Sequence, residues 1–199
     1  MTPLPRFHRL PADRREAFLA AARAEFAAQG PDTASYNRII ESTGVSKTAA
    51  YQYFDGREDL LGAVLADVLD RLLGVLGPWR PAGGPEEFWA RLAAGAEALA
   101  AHLAATPEDL ALAEAAVARV GGGAWLGWFG ELVDDGRRLG VIRTGVDRDL
   151  LVAATAAVLK AADGWALAAL AAGAEPPRHQ VWELLAALWS SPSAPGREI

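Results

Sequence analysis

Apolar positions recur along this chain at intervals of three and four, and Gly, Pro and capping residues punctuate the runs, so the pattern predicts helix throughout. Phe18, Ala22 and Phe26 stand at i, i+4 and i+8 on one face of a helix that Asp13 opens and Gly30 closes. Tyr36, Ile39 and Ile40 share the buried face of a second helix, which Ser35 can cap. Gly44 ends it, since glycine takes left-handed backbone at little steric cost. Ser46 caps a third helix running to about Phe54. Gly56 begins a fourth, in which Leu60, Leu61, Val64, Leu65, Val68, Leu72 and Leu76 keep helical spacing until Gly77 and Pro78. After the break GPWRPAGGP, Pro85 starts a helix with Phe88, Leu92, Ala96, Leu99 and Leu103 in one stripe. Thr106 caps the next at Pro107, with Leu110, Ala113 and Val117 facing inward, and the glycines 121–123 form a loop of high freedom. Trp125, Trp128, Phe129, Leu132 and Val133 line a further helix that ends near Gly140. Asp147 caps a long alanine-rich helix to about Ala172, and Pro176-Pro177 introduces a last one with Val181, Leu184, Leu185 and Leu188 on one face. Residues 1 to about 11 read as a loose arm that brings Arg6 and Arg9 near enough to touch phosphate or minor groove. The tail from about 191 reads as disordered. The fold class is all-α, with about nine helices.

The second and third helices are short and joined by one tight turn, the spacing of a helix-turn-helix. From Ser46 the latter exposes Lys47, Thr48 and Gln52, all able to hydrogen-bond phosphates or base edges, while Ala49 and Ala50 keep the backbone thin. Lys47, Thr48 and Gln52 are therefore assigned to the major groove of double-stranded DNA, with Ser46 at the head of their helix. Ser35, Asn37, Tyr53 and Arg57 are assigned to the sugar-phosphate backbone. One such helix reads few base pairs, so useful specificity calls for a homodimer. Leu151, Thr155, Val158, Ala162, Trp165 and Ala169 recur in steps of three and four as a stripe of mostly small residues. With the face from Val181 to Leu188, that stripe is the expected four-helix interface between copies.

Charge complicates this picture, because the 199-residue chain carries a net charge of −6. The first 66 residues hold eight basic and eight acidic side chains and the remainder eleven and seventeen, so all of the excess acidity falls outside the motif. Such an asymmetry suits a DNA-reading end joined to a regulatory body that phosphate repels. Aromatic residues divide the same way: the three tyrosines lie in the motif and the seven tryptophans beyond it. Large flat side chains with one donor each suit a pocket for a small hydrophobic or aromatic molecule, whose expected lining is Trp89, Leu92, Leu99, Leu103, Trp125, Trp128, Phe129 and Trp165. No cysteine occurs, which excludes disulfides, thiolate metal sites and cysteine nucleophiles. The three histidines show no ligand spacing, so neither a metal nor another cofactor is expected. Glu131, Asp134 and Asp135 read as a solvated face rather than catalytic carboxylates, and no phosphate loop or GxSxG elbow is present. The N-terminus has no apolar core of a signal peptide, and Lys160 and Asp163 interrupt the most hydrophobic run, so a cytoplasmic chain without a membrane span is expected.

The window TGVSKTAAYQYFDGREDLL resembles the signature of the TetR family of transcriptional regulators at Gly44, Val45, Ser46, Tyr51, Tyr53, Phe54, Arg57, Glu58 and Leu60. Upstream, FLAAARAEFAAQG is similar to that family's first helix at Phe18, Ala22, Phe26 and Gly30. The chain departs from the pattern at Ile40, where the family has a smaller residue, and at Ala50, where it often has Leu, a pair of volume changes that can offset each other in one core. The resemblance implies a homeodomain-like three-helix DNA-binding domain over residues 1–55 and a helical regulatory domain, ligand-binding and dimer-forming, over 56–199. It also implies that Tyr51 packs inside, and that an unliganded dimer represses from a palindromic operator until a ligand shifts the helix from Gly56 to Gly77. A helical oligomeric scaffold and an enzyme of unknown chemistry stand as the alternative readings.

Overall fold

A computed structural model describes residues 3–120, 123–171 and 179–190. Ten α-helices run through them: α1 (Pro5–His8), α2 (Ala12–Gln29), α3 (Tyr36–Ser42), α4 (Lys47–Ala50), α5 (Arg57–Leu76), α6 (Pro85–Ala105), α7 (Pro107–Val120), α8 (Ala124–Arg138), α9 (Arg148–Ala171) and α10 (His179–Trp189). No strand occurs among the described residues. Nine helices match the sequence pattern, and the tenth is α1, where a loose arm was expected. Pro176-Pro177, the tail from 191 and two of the three loop glycines lie outside the described residues.

Packing groups the helices into two compact units. The first contains residues 1–78 and 95–125, the second 79–94 and 126–199, so α6 contributes to both. Leu60, Leu61, Val64, Leu65, Val68, Leu69 and Leu72 are all buried, which leaves α5 apolar on most sides. It packs against α2 and α7 within the first unit. Just before its start the Asp55 N–H donates to Asp59, buried in the first turn, at 3.4 Å, and a carboxylate there complements the helix dipole.

A charged cluster ties four helices of this unit together. Arg23 of α2 meets Asp67 of α5 at 2.7 Å. Asp109, in the first turn of α7 and fully buried, receives Arg71 of α5 at 2.9 Å and His102 of α6 at 2.7 Å. Arg23 reaches its other oxygen at 3.5 Å. A carboxylate only accepts, so the Nε2 of His102 carries the hydrogen.

In the second unit, Phe88, Trp89 and Trp189 pack ring to ring, and the Trp189 indole donates to the Thr155 hydroxyl at 2.9 Å. Asp135 corrects the reading of its helix as a solvated carboxylate face. Glu131 and Asp134 are exposed, but Asp135 is buried and binds the Trp79 indole at 3.1 Å, the Ala82 N–H at 2.9 Å and the Arg138 guanidinium at 2.6 Å. The segment after Gly77 returns to α8 through these bonds, a long-range need that local charge pattern does not display. Burial alone would raise the Asp135 carboxyl, yet Ala82, Arg138 and Trp79 outweigh it and hold it below the usual carboxylate range. A lowered folded value means stability that is present above the unfolded value and lost as pH falls through the folded one. Asp135→Asn is therefore expected to lower the melting temperature at neutral pH. The gap from the wild type should close as the pH is lowered through and below the ordinary carboxylate range, in a melting series on both proteins.

Candidate nucleic-acid interface

Tyr36 to Phe54 forms a helix, a turn and a second helix, and each joint has a local cause. Gly44 stops α3 with φ +68°. Ser46 caps α4, its Oγ accepting from the Ala49 N–H at 3.2 Å. Ser35 occupies the corresponding position of α3, but its hydroxyl makes no capping bond. Regular α-helix in the second element is shorter than expected and ends at Ala50. The next residues are drawn in by tight turns, Gln52 N–H to Ala49 and Tyr53 N–H to Ala50, both at 3.0 Å. Tightening the last turn in this way swings Phe54 into the core, where it is fully buried beside Phe7 at 4.7 Å and Phe18 at 5.6 Å.

Behind that surface the support is apolar and closed. Ile39, Ile40 and Ala50 are buried, so the larger residue at 40 and the smaller one at 50 both belong to the core. The Tyr36 hydroxyl donates to the Phe54 carbonyl at 3.5 Å. Burial, helped by Tyr51 and the carboxylates of Asp59 and Asp55, pushes this phenol up to about 12, so it stays a donor. Tyr51 itself corrects the inward placement implied by the resemblance. It is 48% exposed and stands edge-on to Tyr36 at 5.4 Å, because Ala50 already fills the interior position and the turn carries Tyr51 outside.

Lys47, Thr48 and Gln52 are exposed, as are Ser35, Asn37 and Ser46. Among the described residues, the side chains of Lys47, Thr48 and Gln52 have no hydrogen bond or ion pair within the chain. Tyr53 is half-buried, its ring 6.1 Å from Phe7. Arg57 departs from its assignment to phosphate. Its guanidinium turns inward to the carbonyls of Ala34, at 2.8 Å, and Pro31, pairs with Glu58, and lies over the Phe26 ring at 5.7 Å. It braces the loop between α2 and α3 against the start of α5. Arg57→Ala should accordingly destabilise the protein by about 1–3 kcal/mol, the range for losing charge-assisted hydrogen bonds, as measured by urea unfolding. Arg57→Lys, which keeps the charge but not the fork, should recover less than half of that.

Of the expected pocket residues, Leu99, Leu103 and Trp125 fall in the first unit, the first two half-buried and Trp125 buried. In the second unit Leu92 and Phe129 are buried. Trp128 there sits 5.5 Å from Trp79 and 5.2 Å from Phe129. Trp89 stacks obliquely on Trp189 at 5.2 Å, and Trp165 is 43% exposed.

Residue chemistry and placement together define a helix-turn-helix DNA-binding regulator carried on a helical body. This chain matches the model of the bacterial regulatory proteins of the tetR family over residues 18–64. Its fold is similar to a protein of Shewanella sp. PV-4 assigned to the tetR family of transcription regulators, with TM-score 0.65 and 17% identity over 88% of this chain and 96% of that one. It is also similar to the fatty acid degradation regulator FadR of Bacillus halodurans, with TM-score 0.62 and 16% identity over 89% and 99%. A TetR family transcriptional regulator of Pseudomonas syringae pv. tomato DC3000 has TM-score 0.60 and 24% identity over 90% and 96%. No curated protein sequence matches the chain. Among the described residues, no helix is long and apolar enough to cross a membrane.

Proposed function

We propose that this protein is a cytoplasmic, ligand-responsive repressor that binds a palindromic operator as a homodimer and leaves it when a small hydrophobic or aromatic molecule occupies its body. The observation that carries this reading is the state of Lys47, Thr48 and Gln52. They are solvent-facing and uncommitted, on a motif whose support is closed by buried aromatic rings. Because the motif that carries them is packed before the partner arrives, only the side chains themselves remain to be ordered when it binds.

A second copy would be met through α9 and α10, though not along the stripe read from sequence. Leu151 and Thr155 are buried within the chain, Thr155 by its bond to Trp189, and the side chain of Ala169 lies outside the described residues. The adjoining line of Leu150, Ala153, Ala157, Ala161 and Gly164 is exposed, as is Leu184 of α10. Leu150 and Leu184 are 61% and 59% exposed, and the small residues between would let two helices approach closely. The expected effector is apolar because the tryptophans beyond the motif offer large flat surface with one donor each.

Selection from a random-sequence duplex pool tests the reading. A two-fold symmetric sequence with half-sites about one helical turn apart is expected. Sedimentation should give a dimer, and a screen of hydrophobic compounds by tryptophan fluorescence should find one that releases the selected duplex. Monomeric protein enriching no sequence would sink the proposal.

A further inference from the structure

The N-terminal turn α1 forms a fixed wall beside the recognition surface. The Leu4 N–H donates to the Tyr53 carbonyl at 2.9 Å, and Phe7, 3% exposed, enters the core against Phe18 and Phe54. Beyond the turn, Arg15 donates to the carbonyls of His8 at 2.9 Å and Leu10 at 2.8 Å. Both ends of the segment are thus held before any partner binds. Arg6 and Arg9, three residues apart, point outward from it and are exposed. Together with Gln52 and Tyr53 they line an open depression of about 620 Å³.

We infer that α1 is a second, sequence-independent DNA contact, in which Arg6 and Arg9 hold backbone phosphates flanking the groove entered by Lys47, Thr48 and Gln52. The inference rests on the DNA-binding reading above and adds residues to it. Charge is the reason. The first 66 residues are neutral overall, and three of their eight cations, Arg15, Arg23 and Arg57, are spent on internal carbonyls and carboxylates. Attraction to a polyanion must then come from cations that remain free on the DNA side. Among the described residues Arg6 and Arg9 form no side-chain hydrogen bond or ion pair, and the first acidic residue along the chain is Asp13. The depression also adjoins Gln52 and Tyr53, so the two surfaces are continuous.

The test is the Arg6→Ala, Arg9→Ala double variant. Its affinity is measured by fluorescence anisotropy across a salt series, for a duplex selected from a random pool by the wild type and for a scrambled duplex of equal length. Both affinities should fall about tenfold or more, with the ratio between them unchanged. The slope of log affinity against log salt should become shallower by about 1.8 per bound subunit, at about 0.9 per phosphate contact. A variant with Lys at both positions should restore the slope. Unchanged affinity and slope, in the same assay where Lys47→Ala weakens binding, would overturn the α1 contact while leaving the regulator reading in place. Loss confined to the selected duplex would assign the arginines to bases instead and overturn it as well. Wild type binding neither duplex would remove both.

Discussion

Asp109→Ala should be the most damaging single change in the first unit, lowering the stability to urea by about 3 kcal/mol, the lower end of the range for breaking a buried ion pair from one side. Its carboxylate is fully buried and serves Arg23, Arg71 and His102. Removing it leaves the Arg23 guanidinium with Asp67 alone and that of Arg71 without an ion pair among the described residues. Their side chains keep 14% and 33% exposure, which lets water relieve part of the cost and keeps the loss at the lower end. For a chain of this size the melting temperature should drop by roughly 6–12 °C. Asp67 provides the contrast within the same cluster. Burial pushes its carboxyl up, and the attraction of Arg23 and Arg71 does not fully offset this. A raised folded value means that the ionised form is disfavoured by folding. The contribution of Asp67 is best below the ordinary carboxylate range and declines as pH rises through the raised value. Asp67→Asn should consequently cost less than about 1 kcal/mol at neutral pH, within the spread of ordinary surface changes. Equal losses for the two substitutions would show that Asp109 is not the centre of the cluster.

The contrast between these two aspartates marks where sequence reading reaches and where it stops. Helix positions, the stops at Gly30, Gly44 and Gly77, and the caps at Ser46 and Asp147 were legible because each is decided within a few residues. Asp147, for example, accepts from the N–H groups of Asp149 and Leu150, both at 3.0 Å. What was not legible depends on partners far along the chain. An aspartate in the first turn of a helix looks the same whether it complements the dipole in solvent or, like Asp109, receives arginines from two other helices. The turn α1 has too few residues to show a period, and its order comes from the seat of Phe7 on Phe18 and Phe54. Arg57 matched a motif position by charge, whereas its geometry answers to carbonyls left open by the loop before α3.

Replacing the recognition residues should change specificity more than stability. Thr48→Ala and Gln52→Ala remove side chains that make no bond within the described chain, so urea unfolding should be unaffected to within about 0.5 kcal/mol. On DNA the expectation is reversed. A good side-chain contact to a base edge discriminates by about 1–3 kcal/mol, which is roughly tenfold to a hundredfold per half-site, and a homodimer loses it twice. Gln52→Ala should therefore lower affinity for the selected duplex far more than for a scrambled one. Repeating the selection with the variant should relax one symmetric pair of positions, those carrying adenine if the amide binds in its preferred bidentate mode. Lys47→Ala should weaken both duplexes if its ammonium meets a phosphate, with a salt slope shallower by about 0.9 per subunit. It should weaken only the selected duplex if it meets guanine. The recognition role of α4 would be lost if all three variants bound the selected duplex as the wild type does, since nothing inside the protein competes for these side chains.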